Sequence, residues 1–201
     1  HLPRNRFLNR GQTMTTAAEA VQAYRASRAA NVKMDETTLH KFSAQDVYDR
    51  AVIHLATQRS RSTIAGGVYD DACALIYRSI TQCVMKCSAG IFLSDRVLST
   101  VEGKHLRTAT WAALYVLPET RKMMQQNGVP SPHPHEYLIL SLQGAHDNTH
   151  GATLRYEPLF VTWRRNLQQV ADRFNRRDPA IPIDTTLMHL AFDEWEAAYV
   201  D

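Results

Sequence analysis

The sequence predicts a mainly α fold, a compact domain of six or seven helices with one small β-hairpin near residues 72–87. Three observations carry that prediction. Apolar residues recur at helical spacing in several separate windows, and Pro, Gly and small polar residues bound those windows. At 201 residues, with 44% apolar and 21% charged side chains, the chain can bury one substantial core. A second full domain does not fit the length. With 8 Gly and 8 Pro, the composition lies far from disordered or collagen-like classes. No run reaches the roughly 18–20 uninterrupted apolar residues of a membrane span.

Taken in order, residues 1–13 (HLPRNRFLNRGQT) hold Arg4, Arg6 and Arg10 and no acid. Of 23 Lys and Arg against 20 Asp and Glu, three basic residues belong to this stretch, so the remainder is formally neutral. We read 1–13 as a basic tail, either an arm that contacts a polyanion or threads into a partner, or a processed or artificially added end preceding Met14; the second is preferred. Residues 14–42 follow as an N-terminal helix, Ala-rich over 16–30, and a linker. The single helical domain then occupies 43–201. Its clearest first element is 43–58, SAQDVYDRAVIHLATQ. Ser43 with Asp46 three residues on resembles a capping box, and Val47, Ala51, Val52, Leu55 and Ala56 share one face.

Residues 59–71 read as a loop around Gly66–Gly67. The runs ACALIYR and QCVMKC that follow fit a tight antiparallel hairpin and also one continuous helix from Asp71 to Leu93, because short apolar runs do not separate the two; the hairpin is preferred. After Gly103 the helical signal returns. TATWAALYVL is apolar nearly all round and reads as buried, and Pro118 opens PETRKMMQQ. Residues 135–148 form a helix ending near His146–Asp147. PLFVTWRRNLQQVADRF carries a stripe of Phe160, Trp163, Leu167, Val170 and Phe174. The last helix covers about 185–199.

Chemistry has few footholds. Cys73, Cys83 and Cys87 are an odd number, which fits a reduced, cytosol-like setting better than a disulfide framework. Cys83 and Cys87, four apart, face the same way on a helix or a strand. A zinc site would need two further ligands, for which Cys73, His105 and His146 are the candidates, but no second matching pair exists. A nucleophilic thiol would need an imidazole and an orienting group, which His146 and Asp147, Asp95, Glu102 or Asn148 supply by type. Adjacent His146 and Asp147 are poorly placed to serve each other as base and orienter. Free Cys more often packs as a small hydrophobe. His133, His135 and His150 sit in a Pro-rich loop and read as exposed polar residues rather than metal ligands. Arg59 and Arg61, Arg164–Arg165 and Arg176–Arg177 fit a phosphate-binding patch, but better a solvated helix face. No Walker loop, dinucleotide glycine pattern, HExxH or G-x-S-x-G is present.

The order VYDRAVIHLATQRSRS, CALIYR, CVMKC, VEG, LQGAHD and WRRNLQQVADRFN, over about residues 43–175, resembles a group of small uncharacterised proteins from tailed phages and their hosts. That group shows H-L-x-x-Q-x-x-x-S, C-x-Y-R, C-A-I-G-C, E-G, L-Q-x-I-H-D and W-x-x-x-L-x-x-V-A in the same order. Lys86 stands here at the pattern's glycine, and C-x-Y-R is stretched to Cys73-Ala74-Leu75-Ile76-Tyr77-Arg78. The resemblance implies that Tyr77, Arg78, Cys83, Cys87, Glu102, Gln143, His146 and Asp147 form one region of the fold; it implies no activity.

The leading expectation is therefore a phage-type accessory protein, non-enzymatic, that binds another protein of host or phage, or a second copy of itself, in the host cytoplasm. The runner-up is a small cysteine-dependent hydrolase or transferase using Cys83 or Cys87 with His146, with Asp147 and Glu102 as accessory groups. The third is a nucleic-acid-binding module using Arg4, Arg6, Arg10, Arg164 and Arg165. The sequence asks for no cofactor, metal or membrane.

Overall fold

The computed structural model describes residues 42–60, 63–64, 72–73, 75–78, 84–103, 109–126, 134–148 and 157–200. The basic tail, the 16–30 helix, Cys83, His133 and His150 lie outside these residues. The described chain is mainly helical. Seven α-helices follow in order: α1 (Ala44–Gln58), α2 (Asp95–Gly103), α3 (Trp111–Val116), α4 (Pro118–Gln126), α5 (Glu136–Asp147), α6 (Leu159–Arg177) and α7 (Thr186–Val200). Between α1 and α2 lie two short antiparallel ladders and a 3-10 turn, Gly90–Phe92.

Helix α1 starts where its sequence asks it to. The Ser43 hydroxyl accepts from the Asp46 backbone N–H at 3.1 Å while the Asp46 carboxylate accepts from the Ser43 N–H at 3.1 Å, so two otherwise unpaired amides of the first turn are satisfied. It stops at Arg59, whose left-handed φ of 54° lets its N–H bond the Leu55 carbonyl at 3.0 Å.

The stretch after α1 has no continuous helix from Asp71 to Leu93. β3 (Ile76–Arg78) pairs antiparallel with β4 (Val84–Lys86), Tyr77 opposite Met85. Ala72–Cys73 (β2) belongs to a separate ladder, pairing with Thr63–Ile64 (β1) inside the stretch read as loop. The division falls at the bend of Leu75, which is fully buried. Gly90 lies so close above it that an added β-carbon would stand 1.9 Å from the Leu75 carbonyl oxygen. Only glycine fits that crossing.

Helix α2 is an element the sequence reading passed over. The Ser94 hydroxyl accepts from the Val97 N–H at 3.3 Å, and Val97, Leu98 and Val101 are buried along one face. Ser99 and Thr100 return their hydroxyls to the carbonyls of Asp95 and Arg96, four residues back, which hides the helix behind residues of low helix propensity. The apolar TATWAALYVL run is not buried all round. Trp111 and Leu114 are interior, but Val116 is 67% exposed, and Leu117, extended before Pro118, breaks the run into α3 and α4.

Four helices close into a ring: α1 packs on α5 and α7, and α6 packs on the same two. Helices α3 and α4 form a pair attached through α3 to α5. The ring's interior holds Tyr48, Leu55, Trp163, Phe192 and Trp195, with Trp163 and Trp195 edge to face at 5.8 Å between centroids. Polar groups inside are used to lock helix to helix. The Tyr48 hydroxyl donates to the Leu167 carbonyl at 3.1 Å, joining α1 to α6, and burial holds that phenol far above its ordinary pKa.

Candidate functional site

Of the residues that sequence chemistry singles out, Cys87 directly follows β4 and His146 lies near the end of α5, and α1 touches both elements. Two side chains of α1, His54 and Gln58, lie four apart and thus on one face. Both reach the outer edge of β4. His54 Nε2 donates to the Lys86 carbonyl at 2.7 Å; Gln58 donates to the same oxygen at 3.1 Å and accepts the Lys86 N–H at 2.9 Å. A strand edge that would otherwise expose unpaired amides is thereby closed by side chains. Neither residue was assigned this role from sequence, although two polar residues at i and i+4 beside the apolar face of α1 were the available signal.

Cys87 follows Lys86 directly and is fully buried; its sulfur accepts the Gly90 N–H at 3.4 Å. Among the described residues it is a free thiol packed in the core. His146, on the last turn of α5, is equally buried. Its Nδ1 lies 2.8 Å from the Asp147 carboxylate, so the adjacent pair does hydrogen-bond, and its ring stacks on Trp163 at 5.4 Å between centroids. The Trp163 indole N–H donates to the His146 carbonyl at 3.2 Å, and Asn166 donates to the carbonyls of Ala145 and Asn148. The carbonyls that end α5 are thus satisfied by α6 rather than by water. Burial pushes His54 down to about 4, the Lys86 carbonyl opposes that shift, and the neighbouring His146 and Lys86 charges reinforce it.

One turn earlier on α5, the buried Gln143 accepts the Trp111 N–H at 2.9 Å and so fixes the start of α3. Asp147 is half-buried, and the side chains of Tyr77, Arg78 and Glu102 lie outside the described residues. His135, from the Pro-rich loop, spends its ring nitrogen on the Phe42 carbonyl. Among the described residues no three His, Cys, Asp or Glu side chains group as a metal site.

The arginines of α6 divide into two sets. Arg164 is clamped by Asp193 at 2.7 Å and Glu196 at 3.4 Å, both from α7. Arg165 makes a bidentate pair with Glu157, at 2.7 and 2.9 Å, which holds that carboxyl below its ordinary pKa. Near the end of the helix, Arg173 bonds the neutral Gln169 side chain at 3.3 Å, its one hydrogen bond among the described residues, and Arg177 lies over the Tyr137 ring at 4.2 Å. Arg4, Arg6 and Arg10 lie outside the described residues.

An open groove of about 360 Å³ runs between α5 and α6, floored by Leu140, Gly144 and Val170 and rimmed by Tyr137, Asn148 and Arg173. Neither Cys87 nor His146 lines it. No described helix is long and apolar enough to cross a membrane. The site and fold define a mainly helical protein whose polar core groups serve as scaffolding. Comparison with protein-family models, with curated proteins and with solved structures finds no match.

Proposed function

We propose that the protein is a phage-type accessory protein that acts by binding another protein and performs no reaction of its own. The observation that supports this reading is the state of two of the candidate catalytic groups, the Cys87 sulfur and the His146 ring. Cys87 and His146 are both 0% exposed, Cys87 bonded to the Gly90 N–H and His146 to the half-buried Asp147 carboxylate. A nucleophile must meet its substrate, and a general base must reach the proton it removes. The two groups serve better as joints between α1, β4, α5 and α6. The charge distribution favours a protein over a nucleic acid as partner, because Arg164 and Arg165 are neutralised by Asp193, Glu196 and Glu157.

The test is affinity capture with the full chain from phage-infected host cells, followed by stoichiometry of the purified complex. A single protein retained in fixed ratio, or a defined homo-oligomer, is the expected result. A monomer that retains nothing overturns the reading. Selective labelling of one cysteine by iodoacetamide near neutral pH in the folded protein would move the assignment to the thiol enzyme instead.

A further inference from the structure

Two glycines of the described chain sit under opposite constraints. At Gly90 the Leu75 backbone excludes any side chain. At Gly144, within α5, the nearest atom to an added β-carbon is the Asn148 amide nitrogen at 3.9 Å, and no unusual φ is needed. Glycine is among the poorest helix formers, and nothing among the described residues asks for it at this position. What glycine does at 144 is leave bare backbone on the floor of the α5–α6 groove, where any larger side chain would project.

The charge around that groove is one-sided. Arg173 lines it, with Arg176 and Arg177 a turn further on, and among the described residues none of the three forms an ion pair, whereas Arg164 and Arg165 of the same helix both do. Opposite this cationic end lie neutral amides, Asn148 and Asn166, and between them the apolar floor of Leu140 and Val170. A cavity of about 360 Å³ is at the small end of ligand sites and admits a few residues. A nucleic-acid strand would require cations spaced along the groove, but among the described residues that line it Arg173 is the one cation and the others are amide, hydroxyl or apolar.

From this we infer that the α5–α6 groove docks a short acidic peptide segment of the partner protein, with an apolar side chain over Gly144 and a carboxylate on Arg173. The inference rests on the protein-binding reading above and gives it a surface and a partner chemistry. Seating an apolar residue covers the exposed floor, and a carboxylate gives Arg173 the charged partner that Gln169 cannot supply.

The test is selection of a displayed random peptide library on the full chain, followed by affinity measurement with a fluorescein-labelled representative of the enriched peptides. Enriched sequences are expected to place Asp or Glu beside an apolar residue. The representative should lose at least tenfold in affinity with Gly144→Leu and with Arg173→Glu, and should be unaffected by Lys122→Glu on α4. A cooperative circular dichroism melt at or above the temperature of the unsubstituted protein certifies that both groove variants fold. Enriched peptides without acidic residues, or binding that neither groove substitution changes, overturn the groove; the second leaves the protein-binding reading standing. Tighter groove-dependent binding of a fluorescein-labelled single-stranded oligonucleotide than of any peptide would also overturn it. If the unsubstituted protein enriches no peptide, the groove proposal falls, and capture of the complex decides the broader reading separately.

Discussion

His54 is a base held neutral by its surroundings, and this gives the protein a defined response to acid. Its imidazole is partly buried and donates to the Lys86 carbonyl, and burial brings its pKa from the usual 6.5 down to about 4. Between those values the unfolded chain binds a proton that the folded chain refuses. Stability is therefore full above about pH 6.5 and declines as pH falls toward 4, by of order 2 kcal/mol after allowing for partial exposure. Glu157 adds a loss in the same direction at lower pH, since Arg165 depresses its pKa and that contribution disappears as its carboxyl protonates. Melting temperatures across pH 4–7 should show the decline, and His54→Gln, which keeps a donor for Lys86, should flatten the upper part; an unchanged slope would refute the assignment. The two glycines give a second prediction. Gly90→Ala must displace the Leu75 backbone and should cost 3 kcal/mol or more, on the order of a large core defect. Gly144→Ala should add about 0.5–1 kcal/mol through helix propensity. Urea denaturation of both reads the contrast in sign.

Among the elements, α1 depends most on a local signal. Ser43→Ala removes the hydroxyl of the capping box and should cost about 1 kcal/mol, measurable as a shift of the urea midpoint with unchanged m-value. Trp163 supports more than its own helix, since it stacks on His146, meets Trp195 and donates to the last turn of α5. Trp163→Ala should cost about 3–5 kcal/mol, the range for a large core side chain. The elements also show where sequence was readable. Helix α1 was legible because cap and periodicity agree within sixteen residues. Helix α6 was legible through its stripe, although it runs three residues beyond Phe174 to Arg177. Helix α2 was not, because Ser99 and Thr100 spend their hydroxyls on its own carbonyls and weaken the propensity signal. The burial of α3 was overread, because one apolar run had to serve two helices and the break before Pro118 turns Val116 and Leu117 outward.

For the molecule as a whole, the closed ring of α1, α5, α6 and α7 predicts that Cys87 becomes reactive only when the core opens. Peptide-resolved iodoacetamide labelling of Cys87 should be slow in the native protein and should speed up in Trp163→Ala as stability falls. Rapid labelling of Cys87 at full stability would show that the thiol is reached through a local path instead. By itself the sequence determined the helical class, the capping box of α1, the stripe of α6 and the formal neutrality of residues 14–201, all of which are written in neighbours a few positions apart. It also supplied the types Cys, His and Asp that suggest a thiol site. Only the tertiary structure decided that His54 and Gln58 close the edge of β4, that Cys87 and His146 are interior, that Arg164 and Arg165 are spent on carboxylates, and that Gly144 opens onto a groove. The closing of the β4 edge and the pairing of the two arginines depend on partners between 8 and 32 residues apart along the chain. Hydrophobic packing of the helices sets which such groups meet, and no local periodicity encodes that choice.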